Sequence, residues 1–167
     1  MKKYCLDTSG LSNPLEHMPE DIHVTLWHRV ADVIQGGHMS ATAEIYEELT
    51  HINGKIGSCL KSRKDDIMLD VGDGRWDWNS YLAHAKRMAV AHRKFISEYN
   101  GNRKGTVGLI DLSIIAMGKA MSLPVVSMEN LIKPPIGSCL RIPNVCKLES
   151  VEHLTFSEFL RKEKIQI

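Results

Sequence analysis

The chain has 167 residues, 43% of them hydrophobic and 25% charged, which describes one folded domain with a real core and excludes a disordered polymer. Lys plus Arg is 21 and Asp plus Glu is 20, a net charge of +1, so nothing pulls the whole molecule toward nucleic acid or a membrane surface. Any binding surface has to be a local patch.

No apolar run reaches the roughly 18 residues that span a bilayer, and the two early lysines precede no long apolar stretch of the signal-peptide kind. The four cysteines (Cys5, Cys59, Cys139 and Cys146) are scattered and form no C-x-x-C pair. Reduced thiols, no zinc site and a cytoplasmic setting are expected.

In chain order, residues 3–7 (Lys3-Tyr4-Cys5-Leu6-Asp7) read as a short buried strand that ends on a carboxylate. Thr8-Ser9-Gly10 reads as the turn after it. Pro19-Glu20-Asp21 is expected to open a helix whose apolar face is Ile22, Leu26, Val30, Val33 and Ile34, and Gly36-Gly37 to end it. Residues 38–41 are a candidate second strand beside the first, with Ser40 or Thr42 capping the next helix. There Ile45, Leu49 and Ile52 share one face, Glu44 and Glu48 another, and Glu47 points elsewhere.

Residues 53–78 are the least legible part. A short helix at 61–69 and a turn at Gly72-Asp73-Gly74 are expected, and Trp76 and Trp78 could anchor the loop, meet a partner or stack on bases. Asn79 is expected to cap a long helix over about 80–99, with Leu82, Met88, Ala89, Phe95, Ile96 and Tyr99 inward. His84, Lys86, Arg87, His92, Arg93 and Lys94 lie on its outer side. With Arg103 and Lys104, residues 84–104 carry six cations and one acid, Glu98. Such a face can hold an RNA backbone or simply be solvated.

Asp111 begins a further helix with Leu112, Ile115, Ala116, Met117 and small Gly118, which suits tight packing on a sheet. Pro124-Val125-Val126-Ser127 is a strand followed closely by Glu129. Pro134-Pro135 and Gly137 mark a long loop. Ile142-Pro143-Asn144-Val145 leads to a last strand near 151–154, and Thr155 caps a final helix. Alternation of this kind argues for an α/β fold with a mainly parallel sheet.

Asp7, Glu48, Asp111 and Glu129 stand where a doubly wound sheet could bring them to one end. Taken singly, Asp111 reads equally as a helix cap, and Glu48 and Glu129 as solvated residues. An acid ending a buried strand is harder to explain structurally. Together, with no nearby basic partner in the sequence, the four would repel one another unless a cation sat among them. Hard oxygen ligands favour Mg²⁺ or Mn²⁺, and phosphoryl chemistry with water as nucleophile.

The motifs resemble a known family. Tyr4-Cys5-Leu6-Asp7-Thr8-Ser9 looks like the opening of a PIN domain. Glu48-Leu49 resembles that family's Glu-Leu pair, Asp111 through Ala116 its later helix start, and Val125 through Glu129 its apolar strand and acid. The ending, from Ile142-Pro143-Asn144 through Leu160, looks like the bacterial and archaeal VapC-type toxin subgroup. The resemblance spans nearly the whole chain, in order, and residues 1–167 are expected to form one PIN-like domain.

It implies a three-layer α/β/α PIN-like fold and metal-dependent cleavage of RNA that leaves a 3′-hydroxyl and a 5′-phosphate. It also implies a homodimer and an antitoxin that blocks the site. By position Asp7, Glu48, Asp111 and Glu129 take the catalytic and metal-binding roles, and Ser9 orients Asp7 or a metal-bound water. Arg87, Arg93 and Lys94 are candidate substrate contacts. Two departures stand out: the fourth acid is Glu, not Asp, and Ile115 occupies a place where a further acid is common. Glu44 or Glu47 remains an alternative to Glu48. A catalytically silent RNA-binding protein is the first alternative function. A phosphatase of the haloacid dehalogenase type is the second, although Ser9 stands where that chemistry wants a second Asp.

Overall fold

The computed structural model describes residues 1–102, 105–133 and 139–166. The Arg103-Lys104 pair and the Pro134-Pro135 and Gly137 loop lie outside the described residues. Four short strands, β1 (Tyr4–Leu6), β2 (Met39–Ser40), β3 (Val125–Val126) and β4 (His153–Leu154), form one sheet. Its order is β2-β1-β3-β4 and every pairing is parallel. The register sets Tyr4 against Met39, Cys5 against Val125 and Val126 against Leu154. Tyr4, Cys5, Leu6, Val125 and Val126 are all buried, as a parallel sheet covered on both faces requires.

Helices cover the sheet: α1 (Ser9–His17), α2 (Val24–Gln35), α3 (Ala43–Leu49), α4 (Gly54–Ser62), α5 (Lys64–Ile67), α6 (Trp78–Ala91), α7 (Leu109–Met121), α8 (Ile142–Glu149) and α9 (Phe156–Lys162). The chain leaves β1 toward β2, then returns past β1 to reach β3 and β4. With right-handed crossovers, that reversal sends the connections after β1 and after β3 to opposite faces. Tyr4 accordingly packs its ring edge-on against Phe159 of α9, centroids 5.1 Å apart, while Cys5 lies toward Cys146 of α8. The topological switch point falls between the carboxyl ends of β1 and β3, where α/β sheets bind ligands.

The α/β class and the parallel sheet agree with the pattern of the sequence. Several local expectations do not. Residues 9–17 form α1 despite Ser9, Gly10, Asn13 and an internal Pro14, because Leu11 and Pro14 bury against the core and override weak propensity. Helix α2 begins at Val24, not Pro19. Glu20 is drawn off to accept the backbone N–H groups of Lys55 (2.8 Å) and Ile56 (2.6 Å) at the start of α4, which leaves Ile22 71% exposed. The expected single helix at 61–69 is two helices, α4 and α5.

Helix α6 is capped by Asp77, which accepts the Ser80 N–H at 2.9 Å, and not by Asn79. It stops at Ala91, and two 3-10 turns (93–95 and 97–99) follow, tied back by the Ser97 N–H to the Val107 carbonyl. Leu82 and Tyr99, expected inward, face solvent, while Met88 and Ile96 are buried. Residues 142–149, which lead to β4, form a helix, α8. Trp76 anchors its loop by donating from Nε1 to the Asp70 carbonyl at 2.9 Å and packing on Tyr81. Cys5 is buried, as expected of it. Among the described residues no helix is long and apolar enough to cross a membrane.

One glycine sets how closely α1 meets the sheet. A Cβ on Gly10 would lie 2.8 Å from the carbonyl oxygen of Val126, a backbone atom that cannot step aside. Gly10→Ala is expected to cost about 1–3 kcal/mol, read as a lower urea midpoint at unchanged slope. An unshifted midpoint would mean that α1 can lift off the edge of β3 at no cost.

Candidate active site

The site is built at the switch point. Asp7 follows β1 directly, and its backbone N–H continues the ladder to the Val126 carbonyl at 3.0 Å. Asp7 as a whole is only 5% exposed. Ser9 holds it twice: the backbone N–H (3.1 Å) and the hydroxyl both donate to Oδ2. The same Ser9 Oγ accepts the Met128 N–H at 3.1 Å, so one hydroxyl ties the β1 turn to the chain leaving β3.

Asp111 stands in the first turn of α7, where Oδ2 accepts the Gly108 N–H at 2.7 Å. This is ordinary helix capping. Glu129 lies three residues past β3, and its Oε2 accepts the N–H of Ile142, the first residue of α8, at 2.7 Å. Glu48 is in the last turn of α3 and accepts the Thr8 hydroxyl on Oε2 at 2.7 Å. Among the hydrogen bonds of the described residues, each of the four carboxylates thus commits one oxygen and leaves the other uncommitted.

The four also feel one another. Burial raises the pKa of Asp7 above the ordinary carboxylate value, its bonds from Ser9 oppose that, and the charges of Glu129 and Glu48 add to the rise. Burial pushes Asp111 up to about 7, against the Gly108 bond and with help from Asp7, Glu129 and Glu48. Glu44 and Glu47 are not among the main charges on either group. Among the described residues, none of the four carboxylates is in a salt bridge.

That donor set suits a hard divalent cation: oxygen only, net negative, with no ammonium or guanidinium competing for it. The spacing is open. Among the described residues, no three His, Cys, Asp or Glu side chains are grouped so that they could hold a metal ion as they stand.

The basic residues are placed elsewhere. Arg87 donates to both oxygens of Glu149, a buried residue at the far end of α8 from Ile142. His92, expected on the surface, is 8% exposed and bonds Glu149 at 2.6 Å. These contacts hold the carboxyl of Glu149 low despite its burial. Arg93 lies over the ring of Tyr99 at 5.0 Å and Lys94 over Phe95 at 4.7 Å. None of the three cations is among the main charges felt by Asp7 or Asp111.

An open cavity of about 460 Å³ adjoins the acids through Thr8 and Glu48, with Leu15, Pro19 and Ile52 as its apolar wall. Thr8 is a site residue that periodicity does not single out; its place directly after Asp7 is the one signal in the sequence. The backbone N–H groups of Gly108 and Ile142 carry no side-chain signal at all.

The family model described as "Domain of unknown function (DUF4411)" matches residues 4–167. The chain belongs to this family. No curated protein matches the sequence. Among solved structures, DNA-bound VapBC from Salmonella typhimurium is similar at a TM-score of 0.46 and 15% identity, covering 93% of this chain and 99% of that one. PAE2754 from Pyrobaculum aerophilum is similar at a TM-score of 0.48 and 12% identity, covering 99% of this chain and 91% of that one.

In this DUF4411 chain the desolvation of Asp111, with the other acids beside it, has a thermodynamic consequence. Between the ordinary Asp value of 3.8 and about 7, the folded state holds a proton on Asp111 that the unfolded chain releases. Stability therefore falls as pH rises through that window and stays at the lower level above it. Asp111→Asn keeps an oxygen for Gly108 and removes the charge. Allowing for solvent screening, it is expected to raise stability at pH 8 by about 1 kcal/mol, roughly 2–4 °C in Tm, with little change at pH 4. Equal melting temperatures at pH 8 would show that the charge on Asp111 costs the fold nothing.

Proposed function

We propose that this chain is a divalent-metal-dependent endoribonuclease, a PIN-like enzyme of the VapC toxin type, working with Mg²⁺ or Mn²⁺. The observation that carries the reading is the convergence of Asp7, Glu48, Asp111 and Glu129 at the switch point, each with one oxygen uncommitted and with no cation paired to them among the described residues. Asp7 and Asp111 would hold the cation, with Glu129 and Glu48 completing the site directly or through water. When bound, the cation supplies a water of lowered pKa and neutralises charge developing on a phosphodiester oxygen.

The protein's own part is orientation. Ser9 fixes the rotamer of Asp7 and locks the β1 turn to the chain beyond β3. Thr8 keeps Glu48 turned toward Asp7, and the Gly108 and Ile142 N–H groups anchor Asp111 and Glu129. The acids repel the phosphate of a substrate that arrives without a cation, which makes the metal a condition for binding as well as for cleavage. RNA is the substrate of this reading, Arg93 and Lys94 are its exposed candidate contacts, and Arg87 joins them only by leaving Glu149. A protein antitoxin that covers the acids, a homodimer and a cytoplasmic setting complete the proposal.

One observation favours a second reading. Because no three of the acids close around a metal position as they stand, a catalytically silent RNA-binding protein of the same fold is the alternative.

Incubation of the purified chain with end-labelled structured RNAs and Mn²⁺ or Mg²⁺ separates the two. Cleavage that leaves 5′-phosphates, stops with EDTA and falls at least a hundredfold in Asp7→Asn is the expected result. Cleavage that survives Asp7→Asn would remove the acids from the mechanism. RNA retention without cleavage, in either metal, would establish the binding protein instead.

A further inference from the structure

Ser127 follows β3 directly and is completely buried. Its Oγ accepts the Glu129 N–H at 3.3 Å and lies 2.8 Å from Nε2 of His153, the first residue of β4. A buried hydroxyl has a hydrogen to place, and leaving it unpaired would cost about 1–3 kcal/mol. Among the hydrogen bonds of the described residues, His153 Nε2 is the one other partner that Ser127 Oγ has. The accounting closes only if the ring is neutral, with its proton on Nδ1, so that Nε2 accepts. The surroundings agree: burial lowers the pKa of His153, and Glu158, the charge facing it, opposes this only in part. Glu158 is itself bonded to the N–H and hydroxyl of Thr155.

We propose that His153 is a positioning residue for the acid site: its unprotonated Nε2 orients the Ser127 hydroxyl, whose lone pair then fixes the Glu129 backbone, so that the Glu129 carboxylate faces Asp7 and Asp111. The inference rests on the metal-nuclease reading for its purpose but not for its geometry. Glu129 stands on irregular chain between β3 and α8, held at its carboxylate by Ile142. The relay from β4 is a second anchor, at the backbone, and two anchors define a direction where one allows a swing. A group that orients a metal-binding carboxylate at one remove typically changes metal affinity about 10–100-fold when removed.

The test uses the full chain and three independent readouts. Imidazole ¹⁵N spectra at pH 7.5 report the tautomer of His153, and amide exchange reports the protection of the Glu129 N–H. Mn²⁺ binding is followed by calorimetry on the protein without RNA. In the unmodified chain, His153 is expected as the Nδ1–H tautomer and the Glu129 amide as protected. His153→Ala is expected to weaken Mn²⁺ binding about tenfold and to speed exchange at Glu129. His153→Gln, which returns an acceptor near the Nε2 position, restores most of both. Ser127→Thr keeps the hydroxyl and behaves like the unmodified chain, whereas Ser127→Ala behaves like His153→Ala.

A proton on Nε2, or a Glu129 amide that exchanges equally fast with and without His153, overturns the relay whatever the metal data say. A His153→Gln variant as weak as His153→Ala, with losses that follow Tm alone, reduces His153 to a packing residue and overturns it too. If the unmodified chain binds no Mn²⁺ while the tautomer and the Glu129 protection are as expected, the relay stands and the metal reading fails.

Discussion

Four carboxyl groups held within reach of one another's charge are what the rest of this structure has to accommodate. Like charges brought out of water raise each other's free energy, and burial adds to it. The fold meets that strain one group at a time. Asp7 takes two donors from Ser9, Asp111 the N–H of Gly108, Glu129 that of Ile142, and Glu48 the hydroxyl of Thr8. In each group these bonds engage one oxygen and leave its partner free. A set of acids that served only structure would be expected to meet cations as well, as Glu149 does with Arg87 and His92.

The contrast between the two acidic centres is instructive. Glu149 is buried and paired, and its neighbours bring its pKa down; Asp7 is buried and Asp111 partly buried, both without such pairing, and theirs go up. The paired centre joins α6 and α8, and Lys119 of α7 donates to the Glu149 carbonyl in the same place. It is a structural latch among three helices. The unpaired centre lies at the switch point, where two crossovers diverge and the sheet leaves a crevice. Position in the topology and the absence of a counter-charge among the described residues together single out that centre as the candidate site.

Legibility in the sequence followed the range of the forces involved. Helix ends set by local chemistry were readable: the Gly36-Gly37 stop, the Asp111 start, and the Thr155 cap, whose hydroxyl accepts the Glu158 N–H. Elements decided by distant partners were not. Helix α1 looks like a turn because its Ser, Gly, Asn and Pro are poor helix formers, and only the core contacts of Leu11 and Pro14 outweigh them. Helix α2 starts late because Glu20 is occupied by α4. Arg87 and His92 fit a basic outer face by spacing, yet they turn to Glu149, which lies 57 residues from His92 in the chain.

What the sequence determined by itself is the alternation of elements, the burial of β1, and four acids placed at strand and helix ends where a parallel sheet collects them. Periodicity and capping are short-range properties, so they survive without coordinates. Tertiary structure alone decided which acids share a field, which oxygens stay uncommitted, and which cations are already spent. It also decided that a hydroxyl just past β3 and an imidazole on β4 meet 26 residues apart beside Glu129. Those are pairings across the sheet and between layers. Their energies depend on distances of a few ångströms between residues far apart in the chain, and no local pattern records them.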